Sequence, residues 1–519
     1  MHSLKINDPE NINASEHIKV PENINDPELK ISSLEFTYFE ESRNVTDKLS
    51  AEFHRSDVTI LTGASGCGKS TLLYLIAGIY PQEAGFIRGG EILLDGENPA
   101  QIPPQVRCRR AGMMFQNTEL QFCMDTVFNE MIFCMENIGI DPREMDDRMD
   151  DALNFCGISG LKHRRLQSLS GGEKQKVMLA CMTLINPEWM LLDEPFANVD
   201  EDSARHIAGK LAALNREHGT GIIAVDHRLD HWIGIADRIL VMKNGRIERE
   251  IIAKNGGTGK PEDSRTDASE DGGLCKADMD FLIESGVSLP GHPYSPSLPV
   301  RRPGETAVSL RGFSVRIGEK EIVRGIDADF RRGVSYAILG ESGCGKSTLF
   351  GALSGVYRYS GSARLYNNEF RRLKKKDIGR VGFVTQNPQD QFVGGTVKDE
   401  ILASLGRCPD AEKLCEQILR GISLWRYRDV SPYMLSQGQQ RRLGTAALMA
   451  YPCEVLFCDE PTYAQDRINT MAIMDMLCGQ TAEKGAALVF STHDRQLAFE
   501  YADVVYEMRE GRLYEILRK

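Results

Sequence analysis

The sequence predicts an α/β protein in which one fold occurs twice in tandem, each copy a mostly parallel sheet covered by helices. Three observations carry this. A glycine-rich stretch, Gly63-Ala-Ser-Gly-Cys-Gly-Lys69-Ser70-Thr71, recurs as Gly340-Glu-Ser-Gly-Cys-Gly-Lys346-Ser347-Thr348. Other short motifs recur at nearly constant distance: Ser170 with Ser436, Glu194 with Glu460 and His227 with His493 at 266 residues, and Gln116 with Gln386 at 270. Offsets this steady mark a duplicated domain rather than two convergent sites. Within each copy, short apolar runs alternate with longer helical patterns, as strands alternate with the helices that cross over them.

A chain of 519 residues is too long for one core and suggests two to four domains. Residues 1–28 read as a polar tail, with Asn-Asp-Pro-Glu at 7–10 repeated at 25–28. Residues 29–252 form the first unit and 306–519 the second. The stretch between them, 253–305, is rich in Gly, Ser, Asp and Pro and reads as a linker with one short helix around 277–285. Gly257-Thr-Gly-Lys260 mimics the glycine-rich motif, but no strand precedes it and Pro261 follows the lysine, so it belongs to the linker.

Composition excludes some classes. Apolar content of 41% and charged content of 26% are those of an ordinary soluble globular protein. The net charge of −12 argues against nucleic acid as a partner, because a phosphate backbone requires a basic face. The 13 cysteines are scattered, without a C-x-x-C pair or zinc spacing, which suits a reducing cytoplasm. Cys67 and Cys344 read as small loop fillers. The longest apolar candidate, Val177 to Leu192, is broken by Asn186, Pro187 and Glu188, so no segment is expected to span a membrane. The N-terminus lacks the apolar run of a signal peptide.

The repeated stretch fits G-x-x-x-x-G-K-[ST], the phosphate-binding P-loop. Val58-Thr-Ile-Leu61 before it reads as a buried strand and Leu72 to Ala77 after it as a helix; Tyr336-Ala-Ile-Leu339 and Leu349 to Leu353 repeat the context. Gly63, Gly66 and Gly68, with Ser65 between them, let the backbone turn with its N–H groups inward. Gly340, Ser342, Gly343 and Gly345 do the same in the second copy. The helix that follows adds its positive end. Lys69 and Lys346 would reach the terminal phosphates, Ser70 and Ser347 would bind Mg²⁺, and Thr71 and Thr348 complete the motifs. Trp189-Met-Leu-Leu-Asp193-Glu194 and Val455-Leu-Phe-Cys-Asp459-Glu460 are apolar runs ending in two acids. Such strands deliver carboxylates to the sheet edge that carries the P-loop. Asp193 and Asp459 would hold Mg²⁺, and Glu194 and Glu460 would act as general bases on the attacking water.

Leu169-Ser170-Gly171-Gly172-Glu173 caps a helix with serine ahead of the acidic strand and resembles the signature motif of ATP-binding-cassette (ABC) proteins. The remaining motifs follow in order. Gln116 matches the Q-loop, Asn198-Val-Asp200 the D-loop and His227 the switch histidine. The second copy offers Gln386, Ser436-Gln437-Gly438, Ala464-Gln-Asp466 and His493. The resemblance implies two cassettes, each a RecA-like mixed parallel sheet with an antiparallel β-subdomain and a helical signature subdomain. It implies ATP and Mg²⁺, with Gln116 and Gln386 completing the magnesium sets and His227 and His493 serving catalysis. The cassettes would pair head to tail, so that Lys69 shares a nucleotide with Ser436 and Gly438, and Lys346 with Ser170, Gly171 and Gly172. Each site departs from the pattern once. Gln437 replaces the first signature glycine, and Arg316 stands where the first copy has Tyr38, an aromatic that either stacks on adenine or belongs to the core. Two hydrolytic sites of unequal rate are expected.

The segments Gln116-Asn-Thr-Glu119-Leu-Gln121-Phe122 and Gln386-Asn-Pro-Gln-Asp390-Gln391-Phe392 resemble the Q-loop surroundings of energy-coupling factor (ECF) ATPases. That resemblance implies an integral-membrane coupling subunit and a substrate-capturing subunit as partners. The cargo would be a vitamin, vitamin precursor or transition-metal ion, and the location the cytoplasmic face of the cell membrane. Phe122 and Phe392 also fit a buried core, and the basic run 371–376 fits either a solvated face or an acidic membrane surface. The rival reading is a soluble tandem-cassette ATPase acting on ribosomes or nucleic acid; such proteins usually carry a long charged inter-domain helix, whereas this linker is poor in basic residues. A regulator with little turnover is disfavoured by the two glutamates.

Overall fold

The computed structural model describes residues 28–39, 43–82, 84–253, 274–294, 296, 298–299, 302–341, 343–373, 379–385, 388–406, 408–450, 453–463 and 465–516. The expected N-terminal tail (apart from Glu28), the middle of the linker, Ser342, Gln386, Lys374 to Lys376 and Ala464 lie outside these, as does the side chain of Gln437.

Among the described residues, each half contains a six-stranded sheet and a smaller antiparallel one. In the first half the large sheet runs β5 (Ala111–Met114), β6 (Trp189–Asp193), β7 (Gly221–Val225), β3 (Val58–Thr62), β8 (Arg238–Lys243), β9 (Arg246–Ile252). All neighbours are parallel except β8 and β9. Strands β2 (Thr46–Phe53), β1 (Leu29–Tyr38) and β4 (Gly85–Leu94) form the antiparallel sheet. The second half repeats the large sheet as β15 (Val381–Val384), β16 (Val455–Cys458), β17 (Ala487–Thr492), β12 (Ser335–Leu339), β18 (Val504–Arg509), β19 (Arg512–Ile516). Its antiparallel sheet is β11 (Lys320–Arg331), β10 (Thr306–Ile317), β13 (Tyr359–Leu365), β14 (Asn368–Glu369).

The apolar runs explain the sheet order. Every residue of β3, β6 and β7 is buried, as a parallel sheet covered on both faces demands. Alternate side chains serve different cores. Val58, Ile60, Met190, Leu192 and Ile222 pack with the helical subdomain, whereas Leu61, Trp189, Leu191, Ile223 and Val225 pack toward the antiparallel sheet. Because β6, β7 and β3 are neighbours and parallel, their C-terminal ends share one edge, and the acidic pair, His227 and the first P-loop meet there. Strands β16, β17 and β12 repeat this in the second half.

The helix expected in the linker spans Lys276–Glu284. The segment around it is packed, contrary to what its composition suggests. Leu282, Val287 and Leu289 are buried in the first half's core, and Tyr294 in the second's. Among the described residues, no helix is long and apolar enough to cross a membrane.

Candidate active sites

Both P-loops follow the same construction. Gly63, Gly66 and Gly68 take φ of 133°, 81° and 104°, and Gly343 and Gly345 take 84° and 114°. A side chain at Gly63 would also drive its Cβ to 2.2 Å from the Met242 carbonyl oxygen, so the loop needs glycine twice over. Gly340 is confined by contact as well, since a Cβ would approach Cys344 Sγ to 2.7 Å. Lys69 Nζ donates to the Gly63 and Ala64 carbonyls at 2.8 and 3.0 Å, and Lys346 Nζ to those of Gly340 and Glu341 at 2.7 and 2.9 Å. The ammonium groups therefore stand at the mouths of the loops that they close.

The acids converge on the same edge. Ser70 Oγ donates to Asp193 Oδ1 at 3.1 Å. Glu194 accepts from Gln116 Nε2 at 2.8 Å and pairs with His227 Nε2 at 3.1 Å. Glu194 and Glu460 both sit in the left-handed region, at φ of 49° and 46°. This conformation is unfavourable for glutamate and is held by the surrounding structure. In the second half Ser491 Oγ donates to Asp459 Oδ1 at 2.6 Å, Ser347 also bonds Asp459, and Glu460 lies 3.7 Å from Lys346 Nζ and 3.8 Å from His493 Nδ1.

Burial, with Glu194 adding to it, pushes the Asp193 carboxyl up to about 7. Burial would also raise Glu194, but His227, Gln116 and Lys69 outweigh it and hold that carboxyl below its usual range. At Glu460, burial is overcome by His493, Lys346 and Arg441, which bring it to about 2. Asp459 is raised by burial and by Glu460. The pattern suits a magnesium triphosphate. Each site keeps one ionised carboxylate beside a second whose charge lacks sufficient compensation, next to a hydroxyl, a lysine and inward-facing amides.

Both signature segments lie at the starts of helices. Ser170 accepts from Glu173 N at 3.3 Å and Glu173 returns a bond to Ser170 N at 2.8 Å, a capping box at the start of helix Gly171–Ile185. In the second half, Gln439 N donates to Ser436 Oγ at 3.4 Å. Gly171 and Gly172 press against Asn198, and Gly438 against Gln465. Tyr38 lies beside the first P-loop, its hydroxyl 2.8 Å from Thr71 Oγ1 and its ring edge-on to Phe36 and Tyr80. Arg316 is exposed on β10, and Thr348 is half-buried after the second P-loop.

The two halves meet head to tail. Ser65 N donates to Asp466 Oδ2 at 2.6 Å. Ala64, Ser65 and Gly66 face Gln439, Arg442 and Asn469 across a cavity of about 500 Å³, so the first P-loop opposes the second signature helix. A larger cavity of about 740 Å³ lies between the halves, with Asp200, Glu194 and His227 on one side and Gly340, Glu341, Glu460 and His493 on the other.

Sequence reasoning missed several contributors. Asp226, raised by burial to about 6, accepts from Trp232 Nε1 at 2.9 Å and anchors the histidine loop. Arg441 donates to the Glu460 carbonyl, and Asn198 Nδ2 donates to the Tyr463 hydroxyl at 2.6 Å. Position-by-position comparison of the copies would have found these last two, since Arg441 stands opposite Gln175 and Tyr463 opposite Ala197 at the common offset.

Comparison with known proteins agrees with this geometry. The ABC transporter family model matches residues 46–197 and 323–463. A Bacillus subtilis protein provisionally named HMP/thiamine import ATP-binding protein YkoD is 33% identical over 503 residues, covering 93% of this chain and 90% of that protein. A Methanosarcina mazei protein provisionally named an ABC transporter ATP-binding protein is 30% identical over 514 residues, covering 93% and 88%. Among solved structures, the archaeal ribosome recycling factor in complex with a ribosomal stalk protein aligns over 90% of this chain and 87% of that one, with TM-score 0.57 at 18% identity, a likeness of fold alone. Two P-loop edges that face each other's cassette within one polypeptide, and two matched family domains, lead to one assignment: the chain belongs to the ABC transporter family, as a tandem-cassette ATPase that binds and hydrolyses ATP with Mg²⁺.

Proposed function

We propose that this ATPase energises a membrane importer of the energy-coupling factor type. The observation that carries the reading is similarity over 93% of the chain to the Bacillus subtilis protein named for HMP/thiamine import. A surface feature supports it. Beside the two Q-loops, Leu120 and Val393 are 77% and 80% exposed, whereas Phe392 is buried and Phe122 packs against its core. The phenylalanines thus build the helical subdomains, and the aliphatic residues offer an apolar face to a helix of a membrane subunit. The chain would act at the cytoplasmic face of the membrane with coupling and substrate-capturing subunits. A vitamin, a vitamin precursor or a transition-metal ion would be the cargo. The ribosomal reading rests on fold likeness alone.

In this reading the domains are those of the sequence boundaries, 29–252 and 306–519. One nucleotide lies between the P-loop from Gly63 to Thr71 and the Ser436–Gly438 signature, the other between the P-loop from Gly340 to Thr348 and Ser170 to Gly172. Lys69 and Lys346 turn from their loop carbonyls to the phosphates. Ser70, Asp193 and Gln116, and Ser347, Asp459 and Gln386, would hold magnesium, which would supply positive charge to the phosphate oxygens. Glu194 and Glu460 take the proton of the attacking water, held ionised and oriented by His227 and His493. Signature helices present positive N-terminal ends, so triphosphate draws the halves together and its loss releases them.

Affinity purification from native membranes tests the importer assignment. Co-purifying polytopic proteins support it, and co-sedimentation with ribosomes instead overturns it. Turnover of Glu194→Gln and Glu460→Gln, measured separately, tests the catalytic roles. Each is expected to lose most of the contribution of its own site, and the two losses are expected to differ.

A further inference from the structure

The two copies differ where they touch. Arg441 is 5% exposed, donates through Nη1 to the Glu460 carbonyl, and lies 5.1 Å from the centre of the Tyr463 ring. The Tyr463 hydroxyl accepts from Asn198 Nδ2 of the first cassette at 2.6 Å. Asn198 in turn receives the signature helix. Its backbone N donates to Gln175 Oε1 at 2.8 Å, and a Cβ on Gly172 would come within 2.3 Å of its carbonyl oxygen. A continuous path therefore joins the backbone of Glu460 to the helix that starts at Ser170, the two halves of the Lys346 site. The same path cannot form at the Lys69 site. There Gln175 replaces the arginine and reaches the Glu194 carbonyl at only 3.4 Å, Ala197 replaces the tyrosine, and the sequence has Ala464 in place of the asparagine.

We propose that Arg441, Tyr463 and Asn198 form a positioning relay that registers Glu460 against the first cassette's signature helix, and that it serves the Lys346 site alone. The relay is cross-cassette, so it is complete only when the halves are closed. The inference rests on the assignment of Glu194 and Glu460 as the bases of separate sites. A neutral hydrogen bond of this kind contributes a factor of about three to ten when lost.

The test uses the full chain in two backgrounds. Glu194→Gln leaves Glu460 to turn over ATP, and Glu460→Gln leaves Glu194. Tyr463→Phe keeps the ring under Arg441 and removes only the hydroxyl. In the Glu194→Gln background it is expected to lower kcat about fivefold with KM changed less than twofold. In the Glu460→Gln background kcat should stay within twofold, which also controls for folding. Asn198→Ala combined with Tyr463→Phe should slow the first background no more than the worse single variant, since both break one bond. Equal slowing in both backgrounds, no slowing in either, or additive losses would overturn the relay. If Glu194→Gln and Glu460→Gln do not themselves lower turnover, the catalytic assignment fails and takes the relay with it. If they do and Tyr463→Phe is silent, the relay alone falls.

Discussion

His231 shows how one side chain can set a pH limit. It is 8% exposed at the cavity between the cassettes, its ring edge-on to Phe196 and its Nδ1 unpartnered. Burial, aided by Arg228, Arg205 and His493, lowers it from 6.5 to about 3. A histidine lowered in this way favours the fold at pH above its unfolded value, and that stability is lost as pH falls from 6.5 toward 3. At pH 5 the loss amounts to about 2 kcal/mol. The melting temperature is therefore expected to drop between pH 8 and pH 5, and His231→Phe should drop less over the same interval. Equal drops would remove this role. At the signature, Ser170→Ala deletes a cap worth about 1 kcal/mol of stability. On the proposed pairing of this serine with the nucleotide at Lys346, it should also slow turnover in the Glu194→Gln background. A purely structural cap would lower the melting temperature without changing that rate.

Among the elements, those with strong local grammar are legible in the amino-acid sequence. A buried strand, a glycine loop with its lysine and a following helix form one local unit, so each P-loop reads from a single short stretch. The acidic strands and histidine loops are readable because parallel order brings their ends together. The linker misleads for a physical reason. Its glycines, serines and prolines read as solvated chain, yet Leu282, Val287, Leu289 and Tyr294 find cores supplied by residues far away in sequence. Tyr38 shows the same limit, since a strand aromatic beside a P-loop fits core and ligand equally, and here its hydroxyl is tied to Thr71. The D-loop gives the sharpest test at this scale. A Cβ on Gly172 meets the Asn198 carbonyl at 2.3 Å, a backbone atom that cannot swing aside. Gly172→Ala should displace the D-loop and reduce turnover at least tenfold in the Glu194→Gln background, while helix content by circular dichroism stays unchanged because alanine suits a helix better than glycine. Normal turnover would show that the loop yields without consequence.

The whole molecule is a clamp whose jaws are joined by more than a tether. Leu282, Val287 and Leu289 belong, by chain order, to the segment that leads into the second cassette, yet they are buried in the first. Among and beyond them, the Gly286 carbonyl accepts from Arg467 N at 2.9 Å, the carbonyls of His292 and Pro293 accept from the Arg467 guanidinium at 3.0 and 2.5 Å, and Tyr294 OH donates to Asp494 Oδ2 at 3.1 Å. Arg228 of the first cassette approaches the same Asp494 carboxylate at 3.8 Å. Arg467 directly follows Asp466, which bonds the first P-loop. The segment thus straps the histidine loop of one cassette to the D-loop of the other, on the Lys69 side. Burying three aliphatic side chains is worth on the order of 6 kcal/mol, equivalent to a dissociation constant of about 40 μM; with the Ser65–Asp466 and Asn198–Tyr463 hydrogen bonds added, this holds fragments loaded at about 100 μM together after the covalent connection is lost. Cleavage at a protease site introduced within 254–273 should therefore leave the two fragments co-eluting on size exclusion in ADP. The same cleavage in a Leu282→Ala, Val287→Ala, Leu289→Ala chain should let them separate in ADP, and ATP with both Glu194→Gln and Glu460→Gln present should bring them back together. Separation of the unsubstituted fragments in ADP would show that the strap is a passive connection and that closure depends on nucleotide alone.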